Sequence, residues 1–87
     1  MILNLYCYRN KAISAYAIPF FDNKEPKDMA ITIQRMIMMY PDKSLDLKVC
    51  DLFHLGTFDD ASGKFELLEP DFLISCGDYF KVGDKDA

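Results

Sequence analysis

The chain has 87 residues, 51% hydrophobic and 14% aromatic, with ten basic residues against 14 acidic ones for a net charge of −4. A fold of this length buries only about two thirds of the surface its unfolded chain exposes, which excludes a second core, and the apolar content excludes disorder. The acidic balance excludes nucleic-acid binding by bulk electrostatics, so any DNA contact has to be local or shared with a partner.

From Ile2 to Tyr8 the residues are apolar and aromatic with β character, and Ile13 to Phe21 repeats that character after Arg9, Asn10, Lys11 and Ala12. This predicts a β-hairpin. A two-residue turn at Asn10 and Lys11 sets Tyr8 opposite Ile13, Tyr6 opposite Ala15 and Asn4 opposite Ala17 on one surface. Leu3, Leu5, Cys7, Tyr16, Ile18 and Phe20 share the other surface, which is assigned to the core. Pro19 has no amide hydrogen, so its strand belongs at the sheet edge or ends in a bulge.

Asp22 to Lys27 is polar, and Pro26 suits the first turn of a helix. Met29, Ile33, Met36, Ile37 and Tyr40 then repeat at spacings of four and three, a stripe that packs on the sheet, and Pro41 stops the pattern. Ile31, Met38 and Met39 fall off the stripe and mark a candidate protein interface, with a second contact inside the same fold as the alternative. After Pro41 to Ser44, Leu45 to Val49 starts a third strand or leads into one. Leu52 to Phe58 is the firmer strand, with Phe53, Leu55 and Thr57 on one face and Leu52, His54, Gly56 and Phe58 on the other. Lys64 to Leu68 pairs with it. Glu69 and Pro70 break the run, and Asp71 to Cys76 reads as one helical turn ending at Gly77. The fold class is therefore α+β: a small antiparallel sheet in ββαββ order with one central helix on one face. A single domain spans residues 1–82, followed by a polar tail from Gly83 to Ala87.

Asp59, Asp60, Ala61, Ser62 and Gly63 raise the question of a metal loop. With Gly63 as the sixth position of an EF-hand, the first is Phe58 and the leading carboxylate is lost, so the segment reads as a hairpin turn. Cys7, Cys50 and Cys76 are too far apart and too few for a disulfide framework, and His54 alone cannot build a histidine metal site. No nucleophile motif accompanies His54, and the four glycines are isolated, so neither an enzyme nor a cofactor is expected. No apolar run reaches the roughly 20 residues of a membrane helix and no basic segment precedes the first one, so an intracellular protein off the membrane is expected. The register above leaves Tyr6 and Tyr8 on the face away from the helix with Arg9 and Lys11 at the turn. These four residues form a candidate single-stranded nucleic-acid platform, rings for bases and cations for phosphates. A homo-oligomer interface is the alternative use of the same tyrosines.

One family fits this arrangement. Asp51-Leu52-Phe53-His54-Leu55-Gly56-Thr57-Phe58-Asp59, followed by Ser62-Gly63-Lys64-Phe65, resembles the D-L-aromatic-x-aliphatic-G-x-F-D signature, with its later Ser/Thr-G-x-F, of the small nonstructural protein of gokushoviruses, single-stranded DNA phages of the microvirus group. An N-terminal strand pair, a helix with Ala30 and Arg35, this hairpin and a late segment with Pro70, Leu73 and Ile74 extend the likeness over nearly the whole chain. The resemblance implies a non-enzymatic protein of the host bacterial cytoplasm, absent from the mature capsid. It further implies likeness to protein C of related microviruses, which favours the switch from duplex replication to single-strand synthesis coupled to packaging. Its expected partners are single-stranded DNA or viral and host replication proteins. A protein-protein or self-assembling module without DNA contact is the alternative, and the acidic balance speaks against simple DNA coating.

Overall fold

The computed structural model describes residues 1–80. An antiparallel sheet is built from β1 (Ile2–Asn10), β2 (Ala15–Tyr16), β3 (Phe20–Asp22), β4 (Cys50–Asp59) and β5 (Lys64–Ser75), and α1 (Pro26–Met39) packs on one face. The order is β2-β1-β4-β5, with β3 following β2 along the same outer edge of β1. The expected α+β architecture with a central helix is therefore present, its second strand split in two. Pro19 lies in that split, on a sheet edge where its missing donor breaks no ladder.

The first turn differs from the expected one. Arg9 pairs with Tyr16 and Asn10 with Ala15, so the loop spans Lys11 to Ser14 rather than two residues. Asn10 Oδ1 accepts the Ala12 amide at 2.9 Å, and Ser14 closes the loop at φ 52°. A side-chain acceptor in the loop competes with a tight hairpin turn and lengthens it.

Pro26 opens α1 where its missing amide would have had no partner, and Asp28 places negative charge in the first turn. The helix buries Met29, Ile33 and Ile37 against Tyr6, Leu52, Cys76 and Phe80. At its end the Tyr40 amide bonds the Met36 carbonyl, Ser44 Oγ donates to the Tyr40 carbonyl at 2.9 Å, and Pro41 prevents continuation.

The second half decides one open reading and corrects another. Asp42–Val49 forms a 3-10 helix that leads directly into β4 at Cys50, not the start of a strand. The alternation of Leu45, Leu47 and Val49 imitates a strand, but β4 already has β1 and β5 as its neighbours, and only Leu47 packs against the core. Pro70 does not end the fifth strand, which runs on to Ser75, and the 3-10 turn lies later, at Cys76–Tyr79. On the outermost strand a proline removes no inter-strand bond if it sits in a bulge. It does sit in one, for His54 pairs with Asp71 and Gly56 with Leu67, so Leu55 opposes Leu68, Glu69 and Pro70 together.

Leu55 is bulged on its other side as well, because β1 passes from Leu5 opposite Gly56 to Tyr6 opposite His54. The extra residue shifts the alternation of β4 and increases local twist. Gly56 next to it takes φ 152°, and a Cβ there would collide with the Glu66 carbonyl oxygen, so only glycine lets β5 approach. The β4–β5 turn is the expected hairpin bend. Asp59 Oδ1 accepts the Ala61 amide at 3.0 Å, the Gly63 amide donates to the Asp59 carbonyl at 2.7 Å, and Gly63 takes φ 75°. The tail from Gly83 to Ala87 and the domain limit at residue 82 lie outside the described residues.

Candidate interaction face

The register decides which side chains share a face. On β1, Asn4, Tyr6 and Tyr8 point to the helix side with Phe20, Leu52 and His54, while Leu3, Leu5, Cys7 and Arg9 point away. This reverses the expected assignment. Tyr6 is 0% exposed in the core, 5.9 Å from the Phe20 ring and 5.3 Å from His54, and Tyr8 is half-buried 5.6 Å from Phe20. The stacking platform expected from Tyr6 and Tyr8 is thus corrected: the helix and the chain before it cover these rings. Alternation had grouped the tyrosines properly, but it cannot tell which of two apolar faces receives the helix.

A polar network explains why this face is the covered one. Tyr6 Oη donates to the Lys24 carbonyl at 2.6 Å, and Asn4 Nδ2 donates to the same oxygen at 3.1 Å. Asn4 Oδ1 is left as acceptor, 2.9 Å from His54 Nε2, so His54 carries a proton on Nε2. The network pins Lys24 two residues before α1 and seats the helix over Tyr6. Burial, with Glu25, Asp22 and Asp28 nearby, pushes the Tyr6 hydroxyl up to about 12, and burial pushes Tyr8 up further. Burial also raises Cys7 and Cys50, and Cys76 to about 12, keeping these three thiols protonated at neutral pH.

Of the two cations expected to bind phosphate, Lys11 is engaged, with Nζ 3.1 Å from Asp51 Oδ1 and 3.3 Å from Ser75 Oγ. Arg9 lies on the open face, its guanidinium 5.7 Å from the centre of the Tyr16 ring. The structure therefore separates Arg9 from Tyr6 and Tyr8. Ile31, Met38 and Met39 are exposed on the outer side of α1, among Lys27 and Arg35.

The surface that sequence reasoning missed is the sheet face opposite the helix. Tyr16, Phe53 and Phe72 form one ring cluster, with centroids 5.6 and 5.9 Å apart. Phe21, Phe58 and Phe65 form a second, at 4.7 to 6.0 Å. Leu67, opposite Gly56, joins them. Tyr16 is 47% exposed, Phe21 45%, Phe65 55%, Leu67 71% and Phe72 53%. The bulge at Leu55 creates this continuity, since it brings Phe58 onto the side of Phe53, where unbroken alternation put them apart. One signal was legible: Phe58 and Phe65 lie two residues to either side of the Asp60–Gly63 turn and so face each other. Charge on the face is sparse. Arg9 and the Lys11–Asp51 pair lie at one end, while Asp59 and Lys64, each next in sequence to Phe58 or Phe65, point to the helix side.

No helix among the described residues is long and apolar enough to cross a membrane. No protein-family profile, curated protein or solved structure matches the chain.

Proposed function

We propose that the chain is a non-enzymatic interaction protein whose working surface is the aromatic sheet face, serving in the cytoplasm of a bacterial host in the phage accessory role that the gokushovirus resemblance implies. The observation that carries this reading is six rings and Leu67 held together on a sheet face while the helix covers the opposite one. The largest apolar patch on a monomeric soluble protein is about 300–600 Å² and often functional. Each of five side chains here is roughly half exposed, and such residues bring on the order of 100 Å² apiece, so the patch reaches that range. Protonated thiols and a His54 committed to Asn4 support binding over catalysis. A protein partner suits the face better than DNA, because Lys11 is committed to Asp51 and a phosphate backbone needs a surplus of cations.

A second reading has one observation in its favour: Arg9 beside Tyr16, with Phe53 and Phe72 adjacent, places a cation next to stackable rings. Anisotropy of a labelled single-stranded oligonucleotide, titrated with protein at low and high salt, separates the two. The interaction-module reading expects no saturable binding at low salt. Binding that falls steeply with salt, and is lost in Arg9→Ala and Phe72→Ala, replaces it with replication-linked recognition of single-stranded DNA.

A further inference from the structure

We infer that the occupant of the aromatic face is a second copy of this chain, packed sheet against sheet in an isologous dimer; the inference rests on the reading of that face as the binding surface. The exposed area matches such an interface. Tyr16, Phe21, Phe65, Leu67 and Phe72 retain 45% to 71% of their surface. They contribute roughly 500 Å², and the half-buried Phe53, Phe58 and Leu3 with the rim bring one copy near the ~800 Å² per partner of a stable interface.

The shape of the face matches it too. Among the described residues the sheet has a layer on one side only, and its open face carries apolar side chains on three adjacent strands, Leu3 and Leu5 on β1, Phe53 and, across the bulge, Phe58 on β4, Phe65 and Leu67 on β5. The surface that interdigitates with such a pleat is another pleat, about 10 Å away with strands within about 30° of parallel or antiparallel. A two-fold axis through the middle of the face sets the Tyr16, Phe53 and Phe72 cluster of one copy on the Phe21, Phe58 and Phe65 cluster of the other.

The rival routes to self-association are blunted. The free edge of β5 carries Pro70, a bulge and the acidic Glu66, Glu69 and Asp71, which oppose strand addition. The outer helix residues Ile31, Met38 and Met39 are interrupted by Arg35.

The test is mass in solution by sedimentation velocity from about 1 to about 100 μM, the range in which interfaces of this size are populated. The full chain is compared with Leu67→Asp, Phe72→Asp and, on the helix, Met39→Asp. The expected result is twice the chain mass for the wild type and for Met39→Asp. The two face variants become monomeric, their dissociation constant rising at least about a hundredfold with an unchanged circular dichroism spectrum. Leu67 is the most exposed of the set, so its replacement leaves the fold intact. A wild type that is monomeric throughout, or a dimer broken by Met39→Asp and not by the face variants, overturns the inference. In the monomeric case the dye ANS distinguishes the two levels. Fluorescence lost in Phe72→Asp leaves the face standing as a site for another protein, and fluorescence equal in both proteins removes that reading as well.

Discussion

Tyr6 separates the two placements of the N-terminal hairpin. As an exposed ring its removal would cost a few tenths of a kcal/mol, whereas as the 0% exposed centre of the core Tyr6→Ala leaves a cavity beneath Met29, Ile33 and Ile37. Aromatic-to-alanine changes in cores cost about 3–5 kcal/mol, and an 87-residue fold has roughly 4–13 kcal/mol in total at ~0.05–0.15 per residue. Tyr6→Ala is therefore expected to remove about a quarter of the stability or more. Tyr6→Phe isolates the hydroxyl. Its partner, the Lys24 carbonyl, keeps the bond from Asn4 Nδ2 and is not orphaned, so the cost stays near 1 kcal/mol. Urea unfolding followed by circular dichroism, at one protein concentration so that self-association is held constant, measures both. A Tyr6→Ala midpoint within 0.5 kcal/mol of wild type, at about the scatter of surface substitutions, refutes the buried placement. Equal losses for alanine and phenylalanine assign the whole effect to the hydroxyl and refute the packing argument.

Gly56→Ala is expected to cost about 2–4 kcal/mol, because the new Cβ meets the Glu66 carbonyl at a φ that other residues resist; differential scanning calorimetry reads it as a lower melting temperature. Alkaline pH should destabilise the fold. Tyr6 titrates at about 12 when folded against 10.0 unfolded, and Cys76 at about 12 against 9.0, so the unfolded chain loses these protons first. Their contribution is complete below about pH 9 and falls as pH rises toward 12, and a urea midpoint that does not move between pH 8 and 11 contradicts it. Met38→Gln and Met39→Gln on the solvent side of α1 should shift stability by less than about 0.5 kcal/mol in the same urea assay, since neither side chain enters the core.

Local chemistry alone determined much of this protein. Pro26, the Met29, Ile33 and Ile37 stripe and Pro41 bound the helix; Asp59 to Gly63 bends the second hairpin; and apolar runs on either side of a polar turn make the strands. Each of these is a preference of the residue itself or of its neighbours within four positions, so it is legible without the fold. The face that meets the helix was not legible. Tyr6 and Tyr8 on one side and Leu5 and Cys7 on the other are both apolar enough to be buried, and the choice was made by long-range bonds from Asn4 and Tyr6 to the Lys24 carbonyl. The bulge at Leu55 was equally hidden, because it arises where three strands must agree on register, and it is what assembles Phe53, Phe58, Phe65 and Phe72 into one surface. Side-chain alternation is a property of one strand; which side becomes interior, and where the alternation slips, is settled only by the strands and helix that pack beside it.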